Sequence, residues 1–205
     1  MLAGHFGLAA IVKSRERQVP LWSLVLSTQL LDIVFLILFL LGIESFRPVQ
    51  GTSGGYGNFI FQADYSHSLV GALGISLLAM LITLPFWGRR NGLIIGAMVF
   101  SHWVLDLPVH RADLPVLPGN AGGLPRLGLG LWAMPWLVAA LELGLVLAGA
   151  YFYYHAAMRA AVAAERKEAR QGVSGPKPYR RNAAIASVAL LVSMLGLLVG
   201  DLLGI

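Results

Sequence analysis

His102 and Asp106 stand four residues apart in Ser101-His102-Trp103-Val104-Leu105-Asp106, and Asp64 and His67 three apart in Asp64-Tyr65-Ser66-His67. Either spacing puts the pair on one face of a helix. His5 and Asp32 are further ionisable residues set in apolar sequence, as are Glu142 and Asp201. Three histidines and two or three aspartates make a mono- or dinuclear metal site, because neutral imidazole with carboxylate suits zinc, manganese or iron. His5, Asp32, His67, His102 and Asp106 are the expected ligands. The chain has no cysteine, which excludes disulfides, thiol catalysis and thiolate-held metals. Glu142 suits a general base or a partner behind the ligands, and equally a helix-packing hydrogen bond; Asp201 reads as interfacial. His110 continues the His102–Asp106 spacing, but Pro108 precedes it and should distort the helix. His110 and Arg111 are therefore assigned to substrate binding, Arg111 toward an anionic headgroup or phosphate. No phosphate-cradling loop, dinucleotide glycine pattern or nucleophile elbow is present.

The elements that must hold these residues lie in lipid. Of the 205 residues 57% are hydrophobic and 12% charged, with a mean hydropathy of +0.73. A soluble domain carries about 25% charged residues, so water cannot be the solvent for most of this surface. A spanning helix needs about 20 mostly apolar residues. Stretches 20–43, 66–87, 129–155 and 183–205 satisfy this, and 91–107 is short but densely apolar. The expected fold is an all-α polytopic membrane helical bundle, with five transmembrane helices and a short N-terminal half-helix over 1–12. Residues 1–205 form one integral membrane domain, with 158–182 a cytoplasmic helical extension and linker that breaks at Gly172–Pro176. Two long outer loops remain: 44–63, rich in glycine (Gly51, Gly54, Gly55, Gly57), and 108–130, rich in glycine and proline. Loops of this length are often lids or binding loops.

Orientation follows the basic residues. Segments on one side hold three (Lys13, Arg15, Arg17), two (Arg89, Arg90) and seven (Arg159, Arg166, Lys167, Arg170, Lys177, Arg180, Arg181), against Arg47, Arg111 and Arg126 on the other. The N-terminal loop is therefore cytoplasmic and the C-terminus outside. The formal charge of +5 reflects this orientation and anionic headgroups at the cytoplasmic face, not nucleic acid. At 1.5 Å per residue His102 lies ~16 Å along its helix from the inner side, Asp106 ~6 Å beyond, and Asp32 ~18 Å along its own. The ionisable groups gather in the middle-to-outer half of the bilayer.

Gly4-His5, Asp32 closing Gln29-Leu30-Leu31-Asp32, Asp64-Tyr65-Ser66-His67-Ser68 and His102 to Asp106 occur in an order that resembles the inner-membrane metal-dependent hydrolases of bacteria, relatives of which carry the label permease. The resemblance covers residues 1 to 115. It departs from the family where a Pro-Asp-x-Asp segment keeps only Asp32, and where a His-Arg pair is missing and Asp64 stands nearby as a substitute ligand. It implies a bacterial inner membrane and a membrane-embedded hydrolase acting by metal-activated water. A site at this depth opens into the bilayer, so the substrate is a lipid or lipid-linked phosphoester, with Asp64 or Glu142 as general base. One rival is a small permease binding an ion or proton through the same cluster. Five helices without a repeat would then need a homodimer, and the cytoplasmic halves offer only Ser23, Ser27, Thr28, Gln29 and Ser101 as a path. The other is a non-catalytic scaffold in which the cluster staples the helices.

Overall fold

The computed structural model describes residues 1–49, 55–172, 175 and 178–204. Gly51 and Gly54 of the first outer loop, and Val173, Ser174, Pro176 and Lys177 of the inner linker, lie outside the described residues.

Helix α1 (Leu2–Arg15) is followed by α2 (Leu21–Thr28) and α3 (Leu30–Leu40). A two-stranded antiparallel hairpin comes next, β1 (Ser45–Pro48) with β2 (Phe59–Gln62), in the register Ser45 to Gln62 and Pro48 to Phe59. The chain ends in α4 (Leu69–Val109), α5 (Pro135–Arg170) and α6 (Tyr179–Leu203). Helices dominate as expected, but the hairpin corrects the reading of 44–63 as a plain loop: Phe46, Phe59, Ile60 and Phe61 supply the β-forming side chains that the glycines masked.

Three helices, α4, α5 and α6, are long and apolar enough to cross a membrane, and α2 with α3 makes a fourth crossing if the bent pair counts as one. That pair corrects the expectation of one continuous helix over 20–43: it bends by 51° at Gln29. The 41 residues of α4 are two antiparallel limbs. The backbone doubles back at Gly88, whose φ of 79° suits glycine alone. A Cβ at Gly96 would lie 3.0 Å from the Ser76 carbonyl oxygen, 20 residues earlier, so the limbs pack face to face. They occupy the stretches read as 66–87 and 91–107, beginning three residues later at Leu69 because Ser68 caps the helix and accepts from the Gly71 amide at 3.0 Å. The second limb runs through Pro108 to Val109.

Helix α1 is a half-helix docked on α5. Small residues allow the approach: a Cβ at Gly149 would sit 2.5 Å from the Gly7 carbonyl oxygen, and one at Gly7 2.5 Å from that of Leu145. Ala3 then packs with Val146, Met194 and Leu198, bringing α6 against the same helix. Leu31, Ala72, Val99 and Trp103 form the core that joins α3 to the two limbs of α4. Large apolar side chains such as Leu40, Phe86, Leu129 and Trp136 point outward, as they do when lipid is the surrounding solvent.

Candidate metal centre

Four segments deliver side chains to one region: His5 from α1, Asp32 from the first turn of α3, His67 from the turn before α4, and His102 and Asp106 from the second limb of α4, with His110 just past its end. His102 Nε2 is 3.0 Å from Asp106 Oδ2 and 3.4 Å from Asp32 Oδ1. His67 Nε2 is 3.3 Å from His102 Nε2, 3.4 Å from Asp32 Oδ1 and 3.9 Å from Asp106 Oδ2. Four donors arranged tetrahedrally about a zinc-sized cation, each bonded at about 2.1 Å, stand about 3.4 Å apart. The Asp32, His67 and His102 donors match that value at 3.3 to 3.4 Å from one another, and His5, His102 and Asp106 form a second group of three that shares His102.

The imidazoles are also held in the form that ligates a metal. His102 Nδ1 is 2.5 Å from the Thr28 carbonyl oxygen, which can only accept, so Nδ1 carries the proton and the Nε2 lone pair faces inward. The break after Thr28 makes this bond available: the helix turns away at Gln29 and leaves that carbonyl without the pairing of a continuous helix. His67 Nδ1 is 2.9 Å from Ser66 Oγ. The Ser66 hydroxyl donates to Glu44 Oε2 at 2.7 Å, so its oxygen accepts from the imidazole. His110 Nδ1 donates to Asp113 Oδ1 at 3.0 Å. Each ring is thus oriented by an oxygen behind it. The Nε2 lone pairs of His67 and His102 would repel at 3.3 Å with nothing positive beside them. Two carboxylates and an inward set of lone pairs fit a cation.

His5 and His110 flank this set. His5 Nε2 is 3.3 Å from Asp106 Oδ1, and His110 Nε2 is 3.6 Å from Asp106 Oδ2. His5 Nδ1 and Asp106 Oδ1 are buried without a hydrogen-bond partner. His110, assigned from the sequence to substrate binding, lies beside the cluster: helix geometry persists through Pro108, and the His110 amide still donates to the Asp106 carbonyl at 2.9 Å. Asp106, His102, His5, His67 and His110 are buried, whereas the Asp32 side chain is 48% exposed. A cavity of about 140 Å³ adjoins the cluster, walled by Phe35, Phe61 and Trp132.

The remaining expected residues lie elsewhere. Asp64 forms a two-pronged ion pair with Arg126 at 2.7 and 3.2 Å. Its hydrogen bond raises the Arg126 guanidinium above the usual value. Asp64 and His67 do not share a helical face, because both precede α4. Glu142 is fully buried and bonds the Gly4 amide and the Tyr56 hydroxyl. Arg111 donates to the Gly57 carbonyl at 2.9 Å, joining the two outer loops. Sequence reasoning passed over Glu44, which is buried and accepts from the Tyr65 and Ser66 amides at 2.7 and 2.9 Å as well as from Ser66 Oγ. It also passed over Thr28 and Asp113 as ring-orienting groups; of these only Asp113, three residues after His110, carried a spacing signal.

No protein-family model, curated protein or solved structure matches the chain.

Proposed function

We propose that the protein is a membrane-embedded, metal-dependent hydrolase acting on a lipid or lipid-linked phosphoester, in keeping with the hydrolase family its motifs resemble. The observation that carries this reading is the triangle of Asp32, His67 and His102 donors, with Asp106 against His102 and both rings oriented from behind. A divalent cation held there, zinc best matching the separations and manganese or iron sharing the donor chemistry, supplies charge stabilisation to a phosphoryl group and acidifies a water molecule. The chain's own part is to fix the ligands and exclude bulk water. Thr28, Ser66 with Glu44, and Asp113 hold the Nδ1 protons; Phe35, Phe61 and Trp132 wall the cavity beside the ligands. Asp64, engaged by Arg126, and Glu142, engaged by Gly4 and Tyr56, are not offered as the base.

The one accessible ligand supports a lipid substrate. Asp32 is the exposed edge of the cluster, and beside it aromatic rings continue outward: Phe35 is 5.7 Å from Phe61, Phe39 5.0 Å from Phe46, and Phe46 5.2 Å from Phe59. An apolar chain can lie along this row while its phosphate reaches the centre.

The membrane arrangement belongs to the same proposal. The bent α2–α3 pair, the two limbs of α4, α5 and α6 cross five times in a bacterial inner membrane. Arg89 and Arg90 sit at the inner turn, and the basic end of α5 meets anionic headgroups. A cysteine placed at Gly122 should then react with an impermeant reagent from outside, and one at Gly172 only from within.

The test is metal analysis of detergent-purified protein followed by phosphate release from lipid phosphates. Near-stoichiometric metal in wild type, lost in His102→Ala and Asp106→Ala, with product formation lost in parallel, is expected. A wild-type protein that binds no metal, or product formation indifferent to Asp106→Ala, would overturn the reading.

A further inference from the structure

Glu142 on α5 and Asp201 on α6 are intramembrane acids outside the cation-binding set, and both reach the first turn of α1. Asp201 Oδ2 accepts from the Leu2 amide at 3.0 Å, and Glu142 Oε1 from the Gly4 amide at 3.3 Å. First-turn amides have no partner inside their own helix, and α1 has no side-chain cap of its own. A carboxylate there also meets the positive pole of the helix. Glu142 Oε2 accepts from the Tyr56 hydroxyl, which uses its second oxygen. His5 follows Gly4 directly. Its Nδ1 has no partner, so unlike His67, His102 and His110 it has no oxygen behind the ring to orient it. The place of His5 against Asp106 is set by where the backbone of α1 sits.

We infer that Glu142 and Asp201 are positioning residues: they clamp the first turn of α1 and so hold His5 against Asp106 at the border of the cation site. The consequence for metal binding rests on the function proposed above; the clamp itself does not. The close approach of Gly7 and Gly149 fixes the middle of α1 on α5, so the acids govern the end that carries His5.

Hydrogen exchange of the detergent-purified full chain reads the clamp without any metal. In a Glu142→Ala, Asp201→Asn variant, amides of the first turns of α1 should exchange about tenfold faster or more, as expected for losing charge-assisted hydrogen bonds, with the second limb of α4 unchanged. Glu142→Gln, whose amide oxygen still accepts, should lie between the variant and wild type, and it carries the test if the alanine variant fails to fold. Zinc titration then asks whether Glu142 acts through His5. Glu142→Ala should weaken zinc binding about tenfold, at the low end for groups that orient ligands from behind, and should add nothing in a His5→Ala background. Unchanged exchange in α1 would overturn the clamp. A zinc effect that persists in full without His5 would overturn the positioning role. Wild-type protein that takes up no zinc would defeat the proposed centre while leaving the exchange comparison decisive for the clamp.

Discussion

The end of the bundle that carries the His/Asp cluster and the end around Gly88 differ in how their buried polar side chains are satisfied. Around Gly88 several hydroxyls turn back on their own segment: Ser23 donates to the Pro20 carbonyl, Ser27 to Ser23, Thr83 to Ala79 and Ser187 to Ala183. At the cluster end bonds join distant elements: His102 to Thr28, Ser66 to Glu44, Gly4 to Glu142, Leu2 to Asp201 and Arg126 to Asp64. A hydroxyl that bonds back within its own helix braces that helix and adds no link to a neighbour. A network of cross-element bonds in low dielectric fixes one arrangement, because any partner left unpaired costs the desolvation of a buried polar group. The cluster end is thus cross-linked between elements around its centre, whereas the hydroxyls named at the other end brace only their own segments.

The sharpest way to break this contrast is at Asp106, which faces His102, His67 and His110 with one oxygen and His5 with the other. Asp106→Ala should abolish stoichiometric metal binding, a loss of at least about a hundredfold in affinity, read by metal analysis after dialysis. By contrast Ser27→Ala, among the hydroxyls that brace their own segments, should leave metal content unchanged, since its hydroxyl serves only the Ser23 carbonyl. A large effect of Ser27→Ala would extend the functional network beyond the cluster end and revive transport.

Glu44 is next. It sits behind Ser66, which in turn sits behind His67, and it also holds two loop amides. Glu44→Ala should weaken metal binding about tenfold, since groups that orient a ligand from behind commonly contribute that much or more. Isothermal titration checks it, and Glu44→Gln, which keeps an acceptor, should recover part of the loss.

How much of this was legible beforehand divides along the same line. Apolar run length and charge placed the helices, and i,i+4 spacing paired His102 with Asp106, because both signals are local. His110 obeyed the same spacing and was set aside on account of Pro108. A proline in the last turn removes one amide donor but need not end the helix, and here helix geometry persists through it. Glu44 was illegible for a different reason. It closes an apolar run at a loop, as countless interfacial glutamates do, and its meaning lies in three donors 21 and 22 residues away. Asp64 misled in the reverse sense: its spacing to His67 suggested one face, yet the chain is not helical there and Arg126, 62 residues on, takes it. The hairpin of β1 and β2 was hidden by the glycines around it.

The contact of α1 with α5 gives a smaller, purely structural effect. Gly149→Ala would set a methyl 2.5 Å from the Gly7 carbonyl oxygen, and backbone on both sides cannot yield as a flexible side chain would. The cost should be about 1–3 kcal/mol, the usual range for overpacking, seen as a lower midpoint of thermal unfolding in detergent. Gly144→Ala on the same helix, where nothing lies within 4 Å of the added carbon, should have no such cost and gains helix propensity.

The smallest effect is expected at Asp64, and it separates a loop tie from a catalytic carboxylate. Its side chain and that of Arg126 are 28% and 29% exposed, and a pair so open to solvent contributes less than about 1 kcal/mol. The raised Arg126 pKa lends stability that is fully present below the ordinary guanidinium value and is lost only as pH climbs through the higher folded one. Between pH 6 and 9 the pair should therefore show no pH dependence from its arginine. Asp64→Asn keeps an acceptor for Arg126 and should change lipid-phosphate hydrolysis less than about threefold, while Arg126→Ala should act mainly on loop stability. A hundredfold loss in Asp64→Asn with the fold and metal content intact would return Asp64 to the chemistry. It would also mean that the outer loop swings Asp64 some way from its Arg126 partner during turnover, so that the cluster end of the molecule is less fixed than its bonds imply.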